Sequence, residues 1–115
     1  MSKLLKRQFL IDKPKKKPFF SVITVVKNNQ KGVVKTINSI EKQIFKNFEY
    51  IIVDGGSKDE TIKKIMLRKK KINILVSKKD KGIYDAMNKG VKLSKGKFFV
   101  FLNAGDIFFS TITFT

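Results

Sequence analysis

Four aspartates, Asp54, Asp80, Asp85 and Asp106, stand out in a chain whose 26 lysines and arginines face only nine acidic residues. They occur in the fragments "VDGGS", "KDKGIYDAM" and "LNAGD", each with glycine or another small residue close by. Carboxylates in such company suit a divalent cation and a nucleoside diphosphate. The acids supply metal ligands and acceptors for base or ribose, and glycine lets backbone come close to a ligand. The chain has no Cys and no His, which excludes disulfides, the usual zinc sites, cysteine nucleophiles and histidine bases. A metal would therefore take oxygen ligands, which points to Mg²⁺ or Mn²⁺. The other acids have plainer assignments: Asp12 in a tail, Glu41 and Glu49 at exposed positions, Asp59 and Glu60 at a helix start.

The elements that position these acids follow from periodicity. "FFSVITVV" is a continuous β-branched apolar run, a strand buried on both faces, and "FEYIIV", "INILVS" and "KFFVFL" make three more. Between them, "KGVVKTINSIEKQIF" places Val34, Ile37, Ile40 or Glu41, and Ile44 at helical spacing. "SKDETIKKIMLRKKK" opens with Ser57 and Glu60 in capping-box spacing and buries Ile62, Ile65 and Met66. "GIYDAMNKGVKLS" aligns Ile83, Ala86 or Met87, Gly90 and Val91. The order is βαβαβαβ, an α/β fold with a mostly parallel sheet and helices on both faces. In such a sheet the ligand crevice lies beyond the carboxyl ends of the strands. Lys27 to Asn29, Asp54 to Ser57, Ser77 to Gly82 and Asn103 to Asp106 all fall there.

Residues 1–18, with "KPKKKP", read as a basic tail or linker, leaving 19–115 as the domain. No apolar run approaches the roughly 18 residues of a spanning helix, and no cleavage-site pattern follows the short apolar patch near the amino end. That predicts a cytoplasmic protein. The net charge of +17 admits nucleic acid, an anionic membrane face or phosphorylated molecules as partners. Nearly all the cations are Lys, scattered through the chain, so compositional bias outweighs a dedicated nucleic-acid surface.

Each motif also has a purely structural reading. Asp54 to Ser57 makes a turn and helix cap, Asn103 to Asp106 a tight turn, and Asp85 a solvated helix position. EF-hand, Walker A and dinucleotide patterns are absent. It is the joint placement of the motifs that favours a nucleotide site.

"SVITVVKNN", "EYIIVDGGSKDET", "DKGIYDAMNKG" and "FFVFLNAGD", in this order, resemble the amino-terminal half of family-two inverting glycosyltransferases of the GT-A fold, in particular the bacterial surface-polysaccharide branch. The resemblance spans residues 20 to about 109 and implies a Rossmann-like half-domain that binds a nucleotide-sugar, usually a UDP-sugar, with Mn²⁺ or Mg²⁺. It implies that Val26 to Asn28 line the nucleotide, that Asp54 bonds the base beside Gly55, and that Asp80, Lys81 and Gly82 lie near base or ribose. Asn103 and Asp106 occupy the place of the family's metal motif, with Asp106 as the metal ligand. Two positions depart from the pattern: Asn103 stands where the motif begins with Asp, and Gly55 where many members have a second Asp.

Full-length relatives transfer the sugar to a growing glycan or lipid-linked acceptor, with a carboxylate as general base. This sequence stops nine residues after Asp106, so the acceptor site and base are expected to be missing, and no catalytic residue is assigned. The basic tail would then hold the protein on the inner face of an anionic membrane. An inactive remnant or non-catalytic nucleotide-binding module is one alternative, a nucleic-acid-binding protein a disfavoured other. The apolar "IFFSTITFT" at the end predicts poor solubility or association.

Overall fold

The computed structural model of the protein describes residues 8–10, 17–43 and 47–107. Five strands, β1 (Gln8–Leu10), β2 (Phe20–Val26), β3 (Phe48–Asp54), β4 (Ile74–Ser77) and β5 (Phe98–Phe101), form one sheet in the order β1-β4-β3-β2-β5. Strands β2 to β5 are mutually parallel; with Val26 opposite Asp54 and Asp54 opposite Ser77 the carboxyl ends of β2, β3 and β4 come level at one edge, while β5 ends at Phe101 opposite Ile23. The connections are α1 (Gln30–Glu41), α2 (Thr61–Met66) with a 3₁₀ turn at Lys69–Lys71, and α3 (Ile83–Leu93).

Alternate residues of the central strands feed two cores. Val22, Val26, Tyr50, Ile52 and Leu75 pack against Val33, Ile37 and Ile40 of α1 and Ile65 of α2. On the other face Ile23, Val25, Ile51, Val53, Ile74 and Val76 pack against Ala86, Met87 and Val91 of α3. The predicted α/β architecture, with helices on both faces of a mostly parallel sheet, is the one observed. Gly90 lets α3 approach β2 so closely that a β-carbon there would run into Ile23. Among the described residues no helix is long and apolar enough to cross a membrane.

Several local expectations are corrected. Gln8–Leu10, inside the expected tail, pairs antiparallel with Leu75 and its neighbours and forms the edge strand β1. On α1 the buried positions are Val33, Thr36, Ile37, Ser39 and Ile40, with Val34 only half-buried; Ile44 lies outside the described residues. The capping box is not formed: α2 begins at Thr61, because the Ser57 hydroxyl and amide are both drawn to the Asp54 carboxylate. Ile83, expected in the core, is 49% exposed at the start of α3.

Glu49 is buried rather than exposed. Its Oε2 accepts the Ser21 hydroxyl (2.5 Å) and the Lys95 amide (2.5 Å), while Oε1 has no partner among the described residues. Ser21 Oγ in turn accepts the Gly96 amide (2.8 Å), which ties the loop before β5 to the amino end of β2. At the other edge, Phe98 and Phe99 of β5 remain 51% and 50% exposed. The final apolar stretch, from Phe108 onward, lies outside the described residues.

Candidate functional site

A pocket of about 280 Å³ opens at the carboxyl ends of the strands. Val25, Val26 and Lys27 contribute to it from β2 and its end, and Asn29 from the following loop. Asp80 and Gly82 come from the β4–α3 loop, Ile83 and Ala86 from α3, and Asn103 and Ala104 from the turn after β5. Among these residues Asp80 is the one carboxylate and Lys27 the one cation.

Asp54 lies behind this surface and is buried. Its Oδ2 accepts the amides of Gly56 (3.0 Å) and Ser57 (2.9 Å) and the Ser77 hydroxyl (2.9 Å), and its Oδ1 accepts the Ser57 hydroxyl. A carboxylate that accepts four hydrogen bonds is well satisfied, which explains how a charge sits in an otherwise apolar edge. Ser57 Oγ also accepts the Asn28 amide (2.7 Å), and Asn28 Oδ1 accepts the Lys58 amide (2.7 Å). Asn28 adopts a left-handed backbone (φ 49°), a conformation Asn tolerates better than most residues. The Asn29 amide donates to Thr61 Oγ1 (3.1 Å), and Asn29 Oδ1 caps α1 through the Gly32 amide (3.0 Å). One polar chain thus links the ends of β2, β3 and β4.

Asp80 Oδ1 accepts the Gly82 amide (3.0 Å) and so shapes the loop that opens α3. Gly55 lies directly against its carboxylate. Asp85 Oδ2 accepts the Lys81 amide (2.9 Å) and meets Lys89 Nζ at 3.5 Å. The Lys81 amide, against an opposing effect of desolvation and with lesser help from the Lys89 charge, holds the Asp85 carboxyl below the usual carboxylate range.

The turn after β5 follows the backbone of β2, with Leu102 donating to the Ile23 carbonyl (2.8 Å) and Ala104 to that of Val25 (3.2 Å). It closes on itself through the Asp106 amide to the Asn103 carbonyl (2.9 Å) and the Asn103 amide to Asp106 Oδ2 (3.1 Å). Asp106 is exposed. Asn103 Oδ1 is buried at the pocket and has no hydrogen-bond partner among the described residues. A buried acceptor left unmade costs about 1–3 kcal/mol, so such an atom beside a pocket is a candidate ligand contact.

The profile of the family described as Glycosyl transferase family 2 matches residues 21–110. This chain belongs to glycosyl transferase family 2. A PGL/p-HBAD biosynthesis glycosyltransferase of Mycobacterium bovis is 35% identical over 99 residues, which cover 84% of this chain and 39% of that relative. The crystal structure of residues 1–349 of Staphylococcus aureus TarS, in complex with UDP-GlcNAc, is 32% identical with a TM-score of 0.70; the match covers 76% of this chain and 27% of that one. A mannosyltransferase from Pyrobaculum calidifontis, in complex with GDP-Man and Mn²⁺, matches 87% of this chain and 31% of its own at a TM-score of 0.76 and 20% identity, a likeness of fold. The chain therefore spans well under half the length of these relatives.

In this family 2 chain, Val26, Asp80, Gly82 and Asn103 line the pocket. Gly55 touches Asp80, while Asn28 and Asp54 lie in the polar chain behind the pocket. Lys81 is exposed, and Asp106 sits on the turn next to Asn103 without lining the pocket. The residue reading placed Lys27, Asn29 and Ala104 at the crevice edge, where they line the pocket, and missed Val25, Ile83 and Ala86. For Ile83 a signal existed, since it immediately follows Gly82 at the first turn of α3, where a side chain overhangs the strand ends more than the sheet.

Proposed function

We propose that this chain binds a nucleotide-sugar, a UDP-sugar foremost, in the pocket at the strand ends. It would serve as the donor-binding part of an enzyme that transfers the sugar to a glycan or lipid-linked acceptor with inversion. The observation that carries this reading is the orphaned, buried Asn103 Oδ1 in the pocket wall, two residues from glycine and three from an exposed carboxylate. The 32% identity to TarS, whose structure holds UDP-GlcNAc, supports the choice of ligand.

On this reading Val25, Val26 and Ala86 offer an apolar wall, and Asp80 is an acceptor for base or ribose. Asn103 Oδ1 accepts from a ligand hydroxyl and Lys27 lies where a phosphate would be neutralised. Asp54 acts through Ser57 and Asn28 rather than by touching the base, because it is buried behind the pocket and does not line it.

The family's divalent cation fits this chain. No group of three or more acidic side chains that could hold a metal exists among the described residues. Mg²⁺ and Mn²⁺, however, are commonly held by one or two carboxylates with the rest of the shell from phosphate and water. Asp106, exposed and among the described residues bonded through Oδ2 alone, is the residue that would hold such an ion beside the diphosphate. When bound, the ion supplies positive charge to the departing diphosphate. The chain's own part is to hold the turn that presents Asp106 and Asn103 and to keep the sugar-nucleotide against β2.

Calorimetric titration of UDP and UDP-sugars, with Mn²⁺ and then with chelator, tests the reading. The expected result is binding on the order of micromolar in Mn²⁺, weakened by chelator. Absence of binding under both conditions refutes it.

A further inference from the structure

The Thr36 side chain is fully buried on α1 and spends its hydroxyl far from its own helix. A threonine inside a helix ordinarily bonds back to a carbonyl one turn earlier. Here Thr36 Oγ1 instead accepts the Gly105 amide (2.9 Å) and donates to the Asp106 carbonyl (2.6 Å), with the Asn103 carbonyl at 3.3 Å. The carbonyl of Gly32, one turn before Thr36, receives the same Gly105 amide at 3.0 Å. The turn therefore has two supports: β2 along its start, through Leu102 and Ala104, and a two-point contact with α1 along its end.

We propose that Thr36 is a positioning residue that sets the Asn103–Asp106 turn in the orientation needed for metal-assisted nucleotide binding. Without the hydroxyl, the Asp106 carbonyl loses its donor and the Gly105 amide keeps only Gly32. Residues 105 and 106 then swing about the β2-anchored half, and the Asp106 carboxylate shifts relative to Asn103 Oδ1. The pocket walls from β2, the β4–α3 loop and α3 do not depend on Thr36, so metal-free nucleotide contacts there persist. This inference rests on the donor-site reading above.

The test compares Thr36→Val, which keeps shape and removes the hydroxyl, with Thr36→Ser, which keeps the hydroxyl. Two readouts are taken on the full chain: amide hydrogen exchange at Gly105 by NMR, and UDP affinity with and without Mn²⁺. In Thr36→Val, Gly105 exchange accelerates and the tightening of UDP binding by Mn²⁺ shrinks by about 10- to 100-fold, as when a ligand's supporting partner is removed. Metal-free affinity stays within about twofold, and Thr36→Ser behaves as the wild type. Gly105 exchange that does not separate Val from Ser overturns the proposal, as does an unchanged Mn²⁺ effect in a Val variant with faster Gly105 exchange. A wild-type chain indifferent to both UDP and Mn²⁺ overturns the donor-site reading and the role of Thr36 with it. That case is recognised by failure of the wild type itself.

Discussion

Gly55 and Asp80 touch across the gap between the β3 and β4 loops: a β-carbon at position 55 would stand 2.7 Å from Asp80 Oδ2 and 3.1 Å from its Cγ. Gly55→Ala must therefore push the Asp80 carboxylate aside, away from the Gly82 amide that it now accepts (3.0 Å). Only a side-chain tip has to move, and alanine narrows the unfolded ensemble by about 0.4–1 kcal/mol. The expected outcome is nearly unchanged thermal stability with UDP affinity down about tenfold, or about 1.4 kcal/mol. Gly55→Asp, which sets a like charge beside Asp80, should lose more, and most at low salt. Full affinity in both variants would mean that the placement of the Asp80 carboxylate is irrelevant to binding.

Asp106→Asn separates charge from shape. The amide oxygen can still accept the Asn103 amide, so the turn persists, and an exposed substitution of this kind changes stability by no more than about 0.5 kcal/mol. Mn²⁺-dependent nucleotide binding should disappear while the melting temperature holds. Retained Mn²⁺ dependence would reduce Asp106 to a turn residue.

Asp54→Asn attacks the polar chain at its centre. With its oxygen in the Oδ2 place the variant keeps the Gly56, Ser57 and Ser77 donors, but its NH₂ then meets the Ser57 hydroxyl that now donates to Oδ1, so that bond is lost and a buried donor has to find a new acceptor. One such group costs about 1–3 kcal/mol, so urea unfolding should report a loss in that range. Nucleotide affinity should fall as well, because Ser57 and Asn28 lose their anchor. A variant as stable as the wild type would show that these bonds contribute little.

Acid should unfold the protein partly through Asp59. Hydrogen bonds from the Thr61 hydroxyl (2.5 Å) and then the Thr61 amide (2.9 Å) lower its carboxyl below the ordinary value of 3.8. A depressed native value means stability that is fully present above 3.8 and is lost as pH falls through the native value. Urea midpoints followed from roughly pH 5 to pH 2 should decline for the wild type and decline less steeply for Asp59→Asn. Identical slopes would remove Asp59 from the acid limb.

The central strands were legible because β-branched apolar runs of strand length have few other uses, and the level strand ends follow from parallel pairing. That is also why the polar edge is legible in the sequence. Glu49 was misread because an isolated carboxylate looks exposed until Ser21 and the Lys95 amide are brought to it by the fold. Three residues, Gln8–Leu10, carry too little periodicity to announce a strand, and their partner β4 is far off in sequence. The late start of α2 reflects competition for Ser57, which local spacing assigns to a cap and the tertiary structure gives to Asp54. Asn29 was legible as a loop residue, but its seat in the pocket depends on being fixed by Thr61.

The polar chain from Ser77 through Asp54 and Ser57 to Asn28 has a consequence for affinity. Ordering a loop on binding costs about 0.5–1.5 kcal/mol for each side chain immobilised. Here folding itself imposes that order, so the conformational entropy of these loops is already spent when a ligand arrives. The rim along this polar chain is pre-organised, so that its order is set by the stability of the fold.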